Sequence, residues 1–105
     1  MTDMREHLDI MVLKREADRL AAVDAGWTTW QPEDRVAFRA EWHDLMDVLG
    51  DLVDAYDRGR LHAGDMNDLS ATAAVLLRGW SSMERMRLRL PSRENLERIV
   101  AARVA

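Results

Sequence analysis

Apolar residues in the middle of this 105-residue chain recur at alternating intervals of four and three positions. At about 100° of rotation per residue, this spacing places a whole row on one face of an α-helix. The first row consists of Phe38, Trp42, Leu45, Leu49, Leu52 and Tyr56. The second row consists of Met66, Leu69, Ala73, Leu76, Trp80 and Met83. The two rows predict an all-α fold in which they pack against each other as antiparallel neighbours.

Glycine and proline residues divide the chain into four segments with helical periodicity. The dividing positions are Gly26, Pro32, Gly59, Gly64 and Pro91. The helices that we expect cover approximately residues 2–24, 32–58, 65–90 and 92–104. The predicted fold class is therefore an elongated antiparallel helical bundle of three long helices plus a short C-terminal helix. A chain of this length predicts a single helical domain over residues 1–105.

Four individual positions refine this prediction. Asp65 and Ser92 carry side-chain oxygens that suit the N-cap of a helix, so we expect them to begin the third and fourth helices. Gly50 and Gly79 fall inside helical segments, where glycine is unfavourable by about 1 kcal/mol relative to alanine. Both glycines therefore predict places where two helices approach closely.

The first predicted helix has apolar residues on two opposite sides. One arc consists of Met4, Leu8, Met11, Val12 and Val23, and the other of Ile10, Leu13, Ala17 and Leu20. A helix that is apolar on two sides needs cover on both. We expect one side to pack on the second and third helices, and the other to contact the short C-terminal helix or a second subunit. This pattern is the main indication of a homo-oligomer.

Composition limits the compartment and the partners. The chain contains no cysteine, which excludes disulfides and thiolate metal sites. The acidic N-terminal segment does not resemble a signal peptide, and no apolar run approaches the roughly 20 residues of a membrane span. We therefore expect a cytoplasmic location and no membrane partner. The net charge of −4 is uneven, since residues 1–77 carry 16 acidic and 8 basic side chains, whereas residues 78–105 carry seven arginines and three glutamates.

One candidate surface is a row of carboxylates on the second predicted helix, which we call the acidic ridge. It consists of Asp44, Asp47, Asp51 and Asp54. The ridge lies opposite the first apolar row, so it is expected to face water. An ordinary solvated face explains it, and a docking surface for a basic partner or a mimic of nucleic acid are the functional alternatives.

A second candidate surface is a row of arginines in the last third of the chain, which we call the basic ridge. It consists of Arg78, Arg85, Arg89 and Arg93. Guanidinium groups pair with carboxylates or phosphates, so the ridge suits a protein or a nucleic acid. Because both ridges belong to one chain, the acidic ridge of one copy is also expected to fit the basic ridge of the next, which predicts salt-sensitive head-to-tail association.

A third candidate is the tryptophan pair between the first and second helices. Trp27 and Trp30 lie in the connection AGWTTWQP. Two interpretations remain open, because the rings either fold inward and close the end of the bundle or form an exposed aromatic anchor for a partner.

No motif predicts catalysis or cofactor binding. The histidines His7, His43 and His62 form no Glu-x-x-His or His-Glu-x-x-His pattern, no serine stands in a Gly-x-Ser-x-Gly context, and there is no glycine-rich phosphate loop. We therefore expect no enzyme, no metal and no cofactor. The predicted function is a non-enzymatic helical interaction or assembly protein that associates with itself. The alternatives are a nucleic-acid-binding or regulatory protein that uses the basic ridge, and an acidic inhibitor that mimics nucleic acid.

Overall fold

The structure is a computed structural model that describes residues 3–102. Within this range it contains five α-helices and no strand, which confirms the all-helical prediction. The helices are α1 (Met4–Gly26), α2 (Pro32–Asp57), α3 (Ala63–Arg78), α4 (Trp80–Arg85) and α5 (Arg93–Ala101), with a 3₁₀ turn over Trp27–Thr29. The molecule measures 42 × 25 × 18 Å along its principal axes, as expected for an elongated shape.

Local chemistry explains where most helices begin and end. The Asp3 carboxylate accepts a hydrogen bond from the Glu6 amide at 2.8 Å, and the Ser92 hydroxyl accepts one from the Asn95 amide at 3.2 Å. Ser92 is therefore the N-cap of α5, as predicted. α2 ends at Asp57, and Gly59, two residues later, turns the chain away in the left-handed region with φ 69°. The predicted helix ends at Thr2 and Val104 lie outside the described residues.

The third predicted helix differs most from expectation. Residues 65–90 do not form one helix, because α3 ends at Arg78 and α4 follows after Gly79. Asp65 is not the N-cap, since α3 begins two residues earlier after His62. α4 ends with Arg87 in the left-handed region (φ 55°), where the Leu88 amide donates to the Met83 carbonyl at 2.9 Å. The predicted third long helix is thus a medium helix followed by a short one.

Gly79 and Gly50 behave differently. A Cβ atom built on Gly79 would lie 2.7 Å from Leu20 Cδ2, so α1 and the junction of α3 with α4 approach closely, as predicted. A Cβ atom on Gly50 would meet nothing within 4 Å. The predicted close approach at Gly50 is therefore wrong, because that position faces open space.

One core unites all five helices, and α1 supplies much of it. The arc of Ile10, Leu13, Ala17 and Leu20 is buried, with each side chain 2 % exposed or less. α1 packs against α2, α3 and α4. α3 packs most closely against α5 and α1, and the predicted direct pairing of α2 with α3 is not confirmed. The physical reason is that residues of α1 and α5, including Leu96 and Ile99 of α5, fill the core that the rows of α2 and α3 both face.

The second arc of α1 is mostly outside this core. Met4, Leu8 and Val12 are 71 %, 54 % and 41 % exposed, whereas Met11 is half-buried and Val23 is buried. α5 packs against α3, where the Ser70 hydroxyl donates to the Ile99 carbonyl at 3.3 Å. The short C-terminal helix therefore does not bury this arc. We call Met4, Leu8 and Val12 the outer row.

Candidate interaction surfaces

A groove runs between α1 and α2, beside the outer row. Two of its clefts, of about 510 and 220 Å³, share Phe38 and Glu41 as lining residues. The smaller of these clefts also includes Val12 of the outer row. A third cleft of about 310 Å³ lies between the N-terminal part of α1 and the C-terminal part of α2. The three clefts follow the two helices along most of their length, because α1 and α2 run antiparallel.

The two sides of this groove carry opposite charges at their rims. Among the exposed residues that line these clefts, α1 contributes the basic residues Arg5, Arg15 and Arg19, and α2 contributes the acidic residues Asp34, Glu41, Asp51 and Asp54. We call the first set the basic rim and the second set the acidic rim. The acidic residues that α1 contributes to the clefts, Glu6, Asp9 and Glu16, are half-buried. Each cleft includes residues of both rims. The opposite charges therefore lie at matching levels along the groove.

The rim charges are incompletely neutralised within residues 3–102. Glu16 is the carboxylate near both Arg15 and Arg19, at 3.4 and 2.9 Å. Arg5, Glu41 and Asp51 make no ion pair inside this part of the chain. Charges of both signs are consequently available to a partner.

Half-buried apolar side chains continue the outer row across to α2. Leu45 lines the same cleft as Val12, and Val48 lies one turn further along α2. Both pack against the core on one side and remain partly accessible on the other. Together with the outer row, they form an apolar strip. Arg15 and Arg19 continue the outer row along the same face of α1, because they follow Val12 by three and seven positions, and the acidic rim lies on α2. This arrangement is typical of a surface that binds another helix.

The acidic ridge faces water along its whole length, as the sequence predicts. Asp47 accepts a hydrogen bond from Arg89 at 2.7 Å, and Asp54 pairs with Arg58 at 3.1 Å. The hydrogen bond from Arg89 lowers the pKa of Asp47. The remaining two, Asp44 and Asp51, make no ion pair within the described residues. Asp44 and Asp51 lie four positions before and three positions after Val48, so these two carboxylates are on the side of the ridge nearer to Val48.

Most of the basic ridge is engaged inside its own chain. Arg85 pairs with Asp24, and Arg89 donates to Asp47 and to the His43 carbonyl. Arg93 pairs at 3.0 Å with Glu97, one helical turn away. Arg93 also lies over the Trp80 ring at 4.9 Å.

Arg78 is the exposed member of the basic ridge without an ion pair in the described part of the chain. All four arginines of the predicted basic ridge are exposed, but three of them already form ion pairs with carboxylates of their own chain.

Asp24 forms the most extensively bonded ion pair of this region. Its carboxylate accepts hydrogen bonds from Arg85 and from the Ser82 hydroxyl, the latter at 2.9 Å. These hydrogen bonds, chiefly the one from Arg85, outweigh partial burial and lower the pKa of Asp24. The same contact raises the pKa of Arg85 above its usual range. The pair joins the C-terminal turn of α1 to α4.

The two tryptophans belong to an aromatic cluster at one end of the bundle. Trp27 is buried and Trp30 is half-buried. Their ring centroids are 5.4 Å apart, and each ring packs edge-on against Phe38. Arg39 lies over the Trp27 ring at 5.3 Å. Trp27 therefore adopts the inward arrangement and is not an exposed anchor, whereas Trp30, which is half-buried, lines the cleft of about 510 Å³.

The histidines are not gathered into a reactive or metal-binding group. His7 contacts the buried carboxylate of Asp65 through Nδ1 at 2.8 Å, which ties α1 to α3. Residues 3–102 contain no group of three or more metal-ligating side chains. Over the same range, no helix has both the length and the apolarity that crossing a membrane requires.

The sequence did not predict the basic rim or the relation of the two rims, although Asp51 and Asp54 belong to the predicted acidic ridge. Arg5, Arg15 and Glu41 belong to no motif, and their row spacing is ordinary for exposed helix positions. Only the pairing of α1 with α2 places them on opposite sides of one groove. The outer row, in contrast, was contained in the predicted arc of α1.

Comparison of the chain with models of known protein families, with curated proteins and with solved structures gave no match. The surfaces of the molecule are therefore the indication of its function.

Proposed function

We propose that this protein is a non-enzymatic helical interaction protein that associates with itself through the outer row of α1. The observation that carries the proposal is the exposure of Met4, Leu8 and Val12 on consecutive turns of one helix. Removing a leucine, methionine or valine side chain from water contributes about 1.5–3 kcal/mol. Three such residues, with Leu45 and Val48 beside them, supply an apolar centre of the kind that protein interfaces bury.

The alternative uses of the charged ridges have less support. Nucleic-acid binding through the basic ridge requires Arg85, Arg89 and Arg93 to exchange their present carboxylate partners for phosphates. Head-to-tail contact between the ridges requires the same exchange. The acidic ridge is likewise half-occupied by arginines of its own chain. Burial of Met4, Leu8 and Val12 in an interface requires no such exchange.

The proposal is tested by the mass in solution of the wild-type chain and of Leu8→Glu. The wild type is expected to exceed the monomer mass of 12.1 kDa increasingly as its concentration rises. Leu8→Glu would bury a carboxylate without a partner, so we expect its dissociation constant to rise roughly 100-fold, or about 3 kcal/mol. Analytical ultracentrifugation measures both values.

Val36→Glu is the matched control, because Val36 is 63 % exposed on α2 and lines none of the three groove clefts. It is expected to associate like the wild type. Circular dichroism checks that both variants keep their helix content. A wild-type chain that stays monomeric up to about 1 mM would contradict the proposal.

A further inference from the structure

The groove between α1 and α2 also indicates how two copies meet. Resting on the proposed function, we propose that the second copy is related by a two-fold axis parallel to α1 and α2, so that α1 of each copy lies antiparallel against α2 of the other. The four helices then form one bundle around the outer row. The interface is isologous, because each copy contributes the same two helices.

The levels of the charged side chains support this arrangement. Arg15 and Glu41 line one cleft, and Arg5 and Asp51 line another near the opposite end of the groove. A two-fold axis parallel to the helices leaves each residue at its own level along the axis. Arg15 therefore meets Glu41 of the second copy, and Arg5 meets Asp51 of the second copy.

The alternative two-fold axis, perpendicular to the helices, places like charges together. It stacks α1 on α1 and α2 on α2. Each helix would then face the same helix of the other copy in the reverse direction, so exposed carboxylates of α2, such as Glu41 and Asp51, would face one another, and the arginines of α1 would likewise face arginines. Such like-charge juxtapositions disfavour an interface and direct partner orientation. Charge therefore selects the parallel axis.

The apolar strip fits the same geometry. Val12 lines one cleft together with Leu45, and Leu8 and Val48 each lie one helical turn away on α1 and α2. In the four-helix arrangement these residues come together at the centre, with the arginines of α1 and the carboxylates of α2 around them. A central apolar patch with a charged rim is the usual organisation of a protein interface.

Charge reversal tests the geometry directly. Arg15→Glu places glutamate against Glu41 twice per dimer, and Glu41→Arg places arginine against Arg15 twice. We expect each single variant to dissociate about tenfold more readily than the wild type. An equimolar mixture of the two variants restores both contacts with opposite charges, so a mixed dimer of nearly wild-type affinity is expected. Tagged copies and ultracentrifugation identify the mixed species.

Matched controls come from the other side of the molecule. Arg78 and Glu84 are exposed residues that line none of the groove clefts and make no ion pair within residues 3–102. Arg78→Glu and Glu84→Arg are therefore expected to leave the dissociation constant unchanged. Loss of association in Arg78→Glu equal to that in Arg15→Glu would overturn the proposed geometry in favour of the basic ridge.

Two further outcomes separate this inference from the proposed function. If the wild type associates and Leu8→Glu does not, but the mixture of Arg15→Glu and Glu41→Arg does not regain wild-type affinity, the proposed function stands and only the proposed two-fold geometry is wrong. If Arg15→Glu mixed with wild type associates more tightly than the wild type alone, α1 meets α1 and the geometry is again wrong. A monomeric wild type refutes the proposed function itself.

Discussion

Gly79 lies at the junction of α3 and α4, where any larger residue would crowd a neighbouring side chain. The nearest atom, Leu20 Cδ2, belongs to a side chain that is only 2 % exposed, so it has little room to move. The backbone at Gly79 (φ −89°) is accessible to any residue. Glycine is therefore required here by close approach and not by conformation.

Opposite effects are expected for alanine at two glycines. Gly79→Ala should lower the free energy of unfolding by about 1–3 kcal/mol through overpacking against Leu20. Gly50→Ala, in an open helical position, should raise it by about 0.5–1 kcal/mol. Urea denaturation of the two variants measures both changes. Equal stability of the two variants would show that Gly79 is not a packing constraint.

At the scale of elements, ion pairs join helices that are distant in sequence. Asp24 stands in the last turn of α1, where a negative charge is unfavourable beside the negative end of the helix dipole. Arg85 of α4 compensates for it through the hydrogen bonds described above. Arg98 likewise joins α5 to the end of α2 through Asp57 at 2.6 Å. These pairs hold helix ends in place without contributing to the core.

The contact between α1 and α4 predicts a dependence of stability on acidity. The pKa of Asp24 in the folded protein lies below its usual value of 3.8, so the stability that this carboxylate contributes is present above about pH 4 and is lost as the pH falls through the folded pKa. Asp24→Asn should therefore be less stable than the wild type at pH 7, and the difference should shrink towards pH 2.

Thermal denaturation between these pH values provides the measurement. Asp18→Asn is the matched control, because Asp18 is an exposed aspartate of α1 without an ion pair in the described residues. Its melting temperature should follow that of the wild type at every pH. A difference for Asp24→Asn that stayed constant with pH would contradict the role assigned to the carboxylate.

At the scale of the whole molecule, all five helices share one core and α1 lies in contact with three of the others. Two adjacent residues of α1 illustrate the division between core and surface. Leu13 is fully buried, whereas Val12 is 41 % exposed in the outer row. Stability of domains of this size is only about 5–15 kcal/mol, so the loss of one core side chain affects the whole fold.

Leu13→Ala should lower the free energy of unfolding by about 2–5 kcal/mol in a single cooperative transition. Val12→Ala should change it by less than about 0.5 kcal/mol when measured on dilute, monomeric protein. Denaturation followed by tryptophan fluorescence and by circular dichroism gives both values. Separate transitions in the two signals would mean that the helices do not share one core.

Some features of the structure were predictable from the sequence, and others were not. The rows of α2 and α3, the cap at Ser92 and the exposure of the acidic ridge followed from residue spacing. Trp27 and Trp30 had two possible environments, and only the contacts with Phe38 distinguish them. The relation of the groove rims was not predicted, because Arg15 and Glu41 acquire it only when α1 and α2 pack together.

The sequence by itself determined which segments are helical and which side of most helices is apolar, since helical periodicity and capping act over a few neighbouring residues. Tertiary structure alone decided which arc of α1 is buried, that α3 packs on α5 and α1, and that Arg89 pairs with Asp47, 42 positions away. Such choices depend on competition among distant surfaces for the same partners. Local spacing carries no information about that competition.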